Sequence, residues 1–167
     1  MKKIDPKEIS ENAIKLIGVD WMLISAGNQS KLNTMTASWG GIGFMWNKPC
    51  VFAFIRPQRY TFEFTEKFET FSLSFFGEEH RKALNICGAK SGRDSDKISE
   101  AKITPAFTES GTPYFAEAKL VLECRKLFMQ TLTEESFIDK SLVEKWYPAS
   151  DFHKMYVAEI ISAFTKI

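Results

Sequence analysis

The chain has 167 residues, 44% of them hydrophobic and 26% charged, which is the composition of an ordinary folded protein with its own core. Its 22 Lys and Arg residues nearly balance 21 Asp and Glu residues, and this excludes a global field that would attract nucleic acid or an anionic membrane. The 15 phenylalanines are the one departure from average composition; most such rings fill a core, although a flat aromatic ligand is the alternative that composition leaves open.

Three cysteines, Cys50, Cys87 and Cys124, lie far apart and form no C-x-x-C pair. This spacing favours neither a disulfide framework nor a zinc site, so we expect three reduced, buried thiols. The N-terminal segment MKKIDPKEIS is basic but has no apolar core, unlike a signal peptide, and no apolar run is long enough to span a bilayer. These features predict a cytoplasmic protein with no membrane partner.

The first half of the chain begins with helix-start signals. Asp5, Pro6 and Glu8 supply a capping carboxylate, a proline in the first turn and a glutamate three residues after the cap. Further on, Gly40, Gly41 and Gly43 mark a bulge or a close approach to the backbone. The elements predicted here are a helix over residues 5–16, strands over 21–26, 34–39 and 51–56, and a helix over 61–68.

The second half is predicted to continue in the same style. Its elements are a strand over residues 70–76, a helix over 80–87 with Gly88 as C-cap, a polar loop over 90–97, a long strand over 116–129 that could bend partway, a short helix over 139–146 and a final strand over 155–164. Many antiparallel strands with short helices between them predict a mainly β fold, a β-barrel with added helices, in one domain over residues 1–167. No βαβ repeat and no G-x-G-x-x-G motif favours a Rossmann domain.

The hexapeptide from Arg56 to Thr61 is the most informative local motif. Two arginines, Arg56 and Arg59, stand three residues apart at the end of a strand, and Thr61 is placed to cap the next helix. A helix N-terminus and bidentate guanidinium groups both suit a phosphate. A capped helix with two solvated surface arginines is the alternative.

A second motif, NTMTASW, spans residues 33–39. It alternates, with Met35, Ala37 and Trp39 on one face and a row of hydroxyls on the other. Hydroxyls and strand-end N–H groups suit the polar edge of a heteroaromatic ring, and a strand with a threonine-rich solvent face is the alternative.

Together these motifs resemble the flavin reductase-like FMN-binding family, and flavoredoxins in particular. The shared order is NTMTASWG at 33–40, then Pro49 and an apolar strand, then R-P-x-R-x-T at 56–61. The resemblance continues through KSGR at 90–93, DK at 96–97, AKLVLEC at 118–124 and HKMYVAEI at 153–160, so it covers nearly the whole chain.

The resemblance implies a split barrel of antiparallel Greek-key type that binds FMN non-covalently, usually as a homodimer with the site near the interface. It implies that the isoalloxazine and ribityl chain are lined by Asn33, Met35, Thr36, Ala37 and Ser38, with Trp39 packed nearby. It further implies that the phosphate end is held by Arg56, Gln58, Arg59 and Thr61, and that Ser91 and Lys97 close over the cofactor.

The implied activity is NAD(P)H-dependent reduction of flavin or another small acceptor through bound FMN. A flavoredoxin-like electron carrier reduced by another protein is one alternative, and a non-enzymatic split barrel with a different ligand is another. The expected partners are a small-molecule or redox-protein electron acceptor, and no nucleic acid.

No catalytic acid or base is predicted, because hydride transfer depends on stacked rings more than on a titrating side chain. His153 precedes the last strand and is a candidate for shaping the nicotinamide or substrate pocket. His80 and His153 do not have metal-ligand spacing, so no metal site is expected.

Overall fold

A computed structural model describes residues 1–166, and its main feature is one large antiparallel sheet. The strands are β1 (Lys2–Ile4), β2 (Met22–Gly27), β3 (Leu32–Ala37), β4 (Gly40–Met45), β5 (Lys48–Ile55), β6 (Thr70–Phe75), β7 (Pro105–Phe107), β8 (Pro113–Phe115), β9 (Leu120–Thr131) and β10 (Lys154–Thr165). The α-helices are α1 (Ala13–Lys15), α2 (Tyr60–Lys67), α3 (Arg81–Ala89), α4 (Lys97–Ala101) and α5 (Ser141–Trp146). The predicted class, mainly β with added short helices, is therefore confirmed.

The order of strands in the sheet is β3-β2-β6-β9-β10-β5-β4, and β1 pairs with the last residues of β10. Strands β3 and β4 are thus the two ends of this path, although they follow one another in the chain. Strand β10 pairs with β9 on one side and with β5 on the other. The ladder between β9 and β10 has two register shifts, one at Leu127 in β9 and one at Ile161 in β10.

Two apolar clusters fill the interior. The larger one lies between the sheet strands and α2, with Tyr156, Phe71 and Phe75 among its fully buried side chains. The smaller one packs α3 and α4 against the sheet around Phe76 and Phe115. All three cysteines are buried and free, as predicted. The abundance of phenylalanine therefore serves the core at many of these positions.

The N-terminal helix is shorter and more broken than predicted. Asp5 does form the expected capping box with Glu8, but the structure over Pro6–Glu8 is a single 3-10 turn. Asn12 then accepts a hydrogen bond from the Lys15 backbone and starts a separate turn, α1. The prediction of one helix over residues 5–16 was wrong because this second capping side chain begins a new helix.

The glycine-rich segment after β3 is a strand, β4, which the sequence did not predict. Gly40 has a φ of +153°, and a Cβ there would lie 2.6 Å from the Phe52 carbonyl oxygen, so the predicted close backbone approach is present. Gly88 is not a C-cap but lies inside α3, where a Cβ would stand 3.3 Å from Thr36 Cβ. This tight contact presses α3 against β3.

Two other predicted features differ. Thr61 does not cap α2; Arg59 occupies the N-cap position, and Thr61 is a fully buried residue of the first turn. Lys97 begins α4, capped by Asp96, rather than ending a loop.

Within residues 1–166, no helix is long and apolar enough to cross a membrane. The same residues contain no group of three or more His, Cys, Asp or Glu side chains able to hold a metal ion.

Candidate functional site

A cleft of about 220 Å³ opens where the two ends of the strand path approach each other. One wall comes from β3 and the residues after it, the opposite wall from the end of β5, and the rim from residues just before β10. The lining residues are Met35, Thr36, Ala37, Ser38, Trp39, Phe54, Arg56, Arg59, Trp146 and His153. Only Phe54 and Trp146 lie outside the set predicted from the sequence.

The β3 wall uses its hydroxyls differently from the expectation. Thr34 is fully buried and bonds to the Ser25 hydroxyl at 2.8 Å and to the Ile24 carbonyl at 3.1 Å, so it is no part of a solvent face. Thr36 donates to the Leu84 carbonyl and ties β3 to α3. The polar groups that this wall offers to a ligand are therefore the Ser38 hydroxyl, just after β3, and backbone groups at the strand end, rather than a free row of hydroxyls.

The rim of the cleft is an aromatic cluster around Trp39. The ring of Trp146 meets Trp39 edge-on at 5.1 Å between centroids, and the imidazole of His153 lies at the same distance, tilted by 46°. Trp39 remains 39% exposed, so one part of its ring is available to a ligand. Burial lowers the pKa of His153 to about 4, and the nearby charge of Arg56 acts in the same direction. His153 is therefore neutral near pH 7.

Arg56 reaches the cleft but is already paired with a carboxylate. Its Nη1 donates to Asp151, its Nη2 donates to the Trp146 carbonyl at 2.7 Å, and Gln58 also donates to Asp151, at 2.5 Å. Burial acts to raise the pKa of Asp151, but the hydrogen bonds from Arg56 and Gln58 outweigh it, and the pKa is lowered. Asp151 is thus charged and neutralises Arg56.

Arg59 and Lys97 are in the opposite situation. Lys97 is buried and donates to the carbonyls of Cys87 at 3.3 Å and Lys90 at 3.1 Å, and Arg59 donates to the same Cys87 carbonyl at 3.4 Å. Neither has an acidic side chain within 4.0 Å among residues 1–166. Burial lowers the pKa of Lys97 to about 8 and also lowers that of Arg59.

Lys97 is buried and Arg59 is half-buried, so this pair of cations costs free energy, because charges withdrawn from water normally need an ionic partner. The Cys87 thiol supplies none, since burial raises its pKa to about 11. The carbonyls at the C-terminal end of α3 offer only partial negative charge. An anion bound between Arg59 and Lys97 would complete the arrangement.

The remaining predicted site residues lie outside the first cleft. Asn33 is buried and donates to the Thr61 hydroxyl at 2.8 Å, joining β3 to α2. Ser91 accepts from the Arg93 backbone within its own loop. A second cleft of about 420 Å³ adjoins the Lys97 end and is lined by Leu32, Asn33, Gly92, Arg93, Asp94, Ser95, Asp96, Lys97 and Ile98. Arg59 in the first cleft and Lys97 in the second both donate to the Cys87 carbonyl, which therefore links the two clefts.

Four residues of the site were missed from the sequence. Phe54 follows Phe52 at the alternate spacing of a strand, and this signal could have placed it beside Arg56. Trp146, Tyr147 and Asp151 lie in the connection between β9 and β10, and no local pattern indicates that this segment folds back onto Arg56.

The structural class of this protein is an antiparallel split barrel, with a cleft between β3 and the end of β5. The flavin reductase like domain model matches residues 17–164, and the chain therefore belongs to that family. No curated protein matches the chain in sequence.

Several solved structures share the fold. A flavoredoxin from Methanosarcina acetivorans is 25% identical, with a TM-score of 0.68 over 88% of this chain and 68% of that one. The flavoredoxin of Desulfovibrio vulgaris (Miyazaki F) is 18% identical, with a TM-score of 0.69 over 99% of this chain and 77% of its own. An FMN-binding protein from Thermus thermophilus with bound 1-cyclohex-2-enone is 21% identical, with a TM-score of 0.66 over 87% of this chain and 69% of that one.

Proposed function

We propose that this chain binds FMN non-covalently in the cleft and acts as an NAD(P)H-dependent oxidoreductase that reduces flavin or another small acceptor. The observation that carries the proposal is a pair of cations, the buried Lys97 and the half-buried Arg59, that have no acidic partner among the described residues. Membership of the flavin reductase like family and the FMN-binding protein among the similar structures support it.

The residues present fit FMN in chemistry. Arg59 and Lys97 would hold the phosphate, because guanidinium and ammonium groups form strong charge-assisted hydrogen bonds to phosphate oxygens. The exposed part of Trp39 offers an apolar face to the isoalloxazine, and backbone groups at residues 36–38 offer hydrogen bonds to its polar edge. Arg56 would join the phosphate site only if Asp151 gave way.

Bound FMN supplies the hydride and electron chemistry, and the protein supplies binding, orientation and access. The rings of Trp39, Trp146 and His153 pack together at the rim of the cleft, where they would help to orient the flavin. None of these side chains needs to exchange a proton, since His153 stays neutral near pH 7. The proposed mechanism therefore includes no acid–base residue of the chain.

A flavoredoxin-like electron carrier is the second candidate, and the two flavoredoxins among the similar structures favour it. In that case another protein would reduce the bound FMN, and the cleft would not accept a nicotinamide.

The purified protein provides the test. We expect a yellow protein that releases FMN on denaturation, or a colourless one that takes up added FMN and quenches its fluorescence. Protein that neither contains nor binds FMN would overturn the proposal. Anaerobic mixing with NADH or NADPH then separates the candidates, because the nicotinamide alone reduces the flavin and bleaches its visible absorbance only in a reductase.

The proposal includes a homodimer in a reducing, cytoplasmic compartment. An apolar surface formed by Phe44, Met45, Trp46, Phe128 and Met129 is exposed, with Phe44 63% and Trp46 52% accessible. The rings of Trp46 and Phe128 lie 6.3 Å apart, so the turn between β4 and β5 and strand β9 contribute to one continuous surface. Contiguous exposed apolar surfaces of this kind mark interaction sites, and a second copy of the chain is the proposed occupant.

Three buried free thiols suit the reducing compartment.

A further inference from the structure

A buried hydrogen bond joins Tyr147 and His153 at the rim of the cleft. The Tyr147 hydroxyl lies 2.8 Å from His153 Nδ1, and both residues are buried. The other ring nitrogen, Nε2, makes no hydrogen bond within residues 1–166, and His153 lines the cleft beside Trp39. One edge of this imidazole is thus fixed by the protein, and the other is left for the cleft.

The direction of this hydrogen bond determines which nitrogen carries the proton. If Nδ1–H donated to Tyr147, the buried hydroxyl hydrogen would have no acceptor, since Tyr147 makes no other hydrogen bond within the described residues. If Tyr147 donates to Nδ1, its hydrogen is satisfied and the imidazole proton resides on Nε2. An unsatisfied buried donor is the more costly state, so the second arrangement is favoured.

The groups around His153 indicate what kind of ligand its free edge suits. Arg56 and Asp151 face it as a neutralised ion pair, and the rings of Trp39 and Tyr147 pack against it. This end of the cleft therefore has no net charge, in contrast to the part near Arg59, beyond which Lys97 lines the second cleft. A neutral N–H donor beside an aromatic ring suits a flat, uncharged ring that bears a carbonyl oxygen.

We propose that His153, held by Tyr147 as the Nε2–H tautomer, donates a hydrogen bond to a carbonyl oxygen of the ring that exchanges electrons with the flavin. Two sources share this chemistry, the carboxamide of a nicotinamide and a quinone carbonyl. His153 is the binding residue and Tyr147 is a positioning residue. The role of the ring as electron donor or acceptor rests on the proposed function, whereas the tautomer does not.

The first test is ¹⁵N NMR of the imidazole in the protein without FMN. We expect a protonated Nε2 and an unprotonated Nδ1 across the neutral pH range. Tyr147→Phe should introduce a fraction of the Nδ1–H form, while Tyr114→Phe, at a ring that stacks on Phe164 instead, should leave His153 unchanged. A wild-type His153 protonated on Nδ1 would overturn the inference regardless of whether FMN binds.

The second test uses amide side chains as substitutes for the two ring nitrogens. His153→Gln places an N–H near the position of Nε2, whereas His153→Asn places one near Nδ1. We expect His153→Asn to raise KM for the ligand roughly fivefold, the worth of one neutral hydrogen bond, and His153→Gln to stay within roughly twofold of wild type. Tyr147→Phe should raise KM by less than His153→Asn and leave kcat nearly unchanged.

Parallel titrations with NADH and with a soluble naphthoquinone identify the source, because only the ligand that receives the hydrogen bond should show the change in KM. In each variant, the KM for the ligand that receives the hydrogen bond should change by a larger factor than the Kd for FMN. Equal weakening of FMN binding in His153→Gln and His153→Asn, or unchanged KM for both ligands in His153→Asn, would overturn the inference. Failure of the wild-type protein to bind FMN would overturn the proposed function instead, and the NMR result would still decide the tautomer.

Discussion

The carboxylate of Asp151 pairs with the guanidinium of Arg56 at one end of the cleft, whereas Arg59 lines the same cleft without an acidic partner among residues 1–166. The two arginines of one short motif therefore have different electrostatic states. Arg56 already has its counter-charge, and Arg59 does not. An incoming phosphate gains more from Arg59, because no existing ion pair has to be broken.

Arg59→Ala is therefore expected to weaken FMN binding by about 1.5–3 kcal/mol, or roughly 10- to 100-fold, the worth of hydrogen bonds to a charged group. Riboflavin, which lacks the phosphate, should bind the variant nearly as well as wild type. Fluorescence titration of both flavins measures the difference. Arg56→Ala is the matched comparison and should have the smaller effect on FMN. If Arg59→Ala weakened both flavins equally, Arg59 would support the fold rather than the phosphate.

Asp151→Asn tests the same electrostatic difference from the other side. Loss of the carboxylate frees Arg56 and removes a negative charge near the cleft, so FMN should bind several-fold tighter, on the order of 1 kcal/mol. The gain should shrink at high salt because the charges are partly exposed. Isothermal titration at two salt concentrations measures both effects. Weaker FMN binding in this variant would instead mean that Asp151 contacts the cofactor favourably.

Lys97 should make FMN binding depend on pH. Its pKa is about 8 in the FMN-free protein, so it is charged below that pH and loses its proton above it. FMN affinity should therefore fall as pH rises through about 8, while riboflavin affinity should stay flat. FMN binding should also take up protons near pH 8, because the phosphate stabilises the charged amine.

Lys97→Met provides the control for this pH dependence. The variant should bind FMN more weakly at pH 7 and lose the decline between pH 7 and 9. The wild-type protein without FMN should gain stability as pH rises from about 8 toward 10.5, since the unfolded chain binds more protons in that range. An identical FMN profile in wild type and Lys97→Met would exclude a role for Lys97 at the phosphate.

Asn33 and Thr61 are predicted to stabilise the fold through their mutual hydrogen bond. Both side chains are buried, and the bond joins segments 28 positions apart in the chain. Asn33→Ala should lower the free energy of unfolding by about 1–3 kcal/mol, because it leaves the Thr61 hydroxyl unpaired. A double-mutant cycle with Thr61→Val, measured by urea unfolding, should give a coupling energy of about 1 kcal/mol. Independent effects of the two changes would contradict a shared bond.

Trp46→Glu should convert the proposed dimer to a monomer. The substitution places a charge in the exposed apolar surface that includes Phe44 and Phe128. Light scattering after gel filtration measures the mass directly. Ile138→Glu is the matched control, because Ile138 is fully exposed on another part of the chain and should not affect assembly. A wild-type protein that is monomeric at micromolar concentration would exclude the dimer.

The fold class could be predicted from the sequence because it depends on local signals, and eight of the ten residues that line the first cleft belong to the predicted set. Alternating or apolar runs predict strands at β3, β5, β6 and β10. The order of the motifs at residues 35–39 and 56–59 matches one family. The glycine-rich β4 was not predicted as a strand, since glycine has little strand propensity and only its pairing with β5 makes it one. The prediction of one helix near the N-terminus missed a different feature, the second capping side chain, Asn12, which starts a separate turn.

The charge state of the site could not be predicted. Asp151 lies 95 positions from Arg56, and nothing in the residues around Asp151 indicates that it folds back onto the strand end. The burial of Lys97 likewise depends on where α4 packs against α3. The residue types were therefore available from the sequence, whereas their partners are a property of the tertiary structure.

Strand β10 links the β3-β2-β6-β9 group to the β5-β4 pair, and within the described residues no other strand does so. Among the strands of residues 1–166, it is also the last to be synthesised. Until it emerges, the nascent chain holds two sheet fragments with unpaired edges, and such edges invite association with other chains. The walls of the cleft come from opposite fragments, so the nascent protein cannot complete its binding site before residues 154–165 are made. Completion of the cleft therefore has to wait for the synthesis of β10.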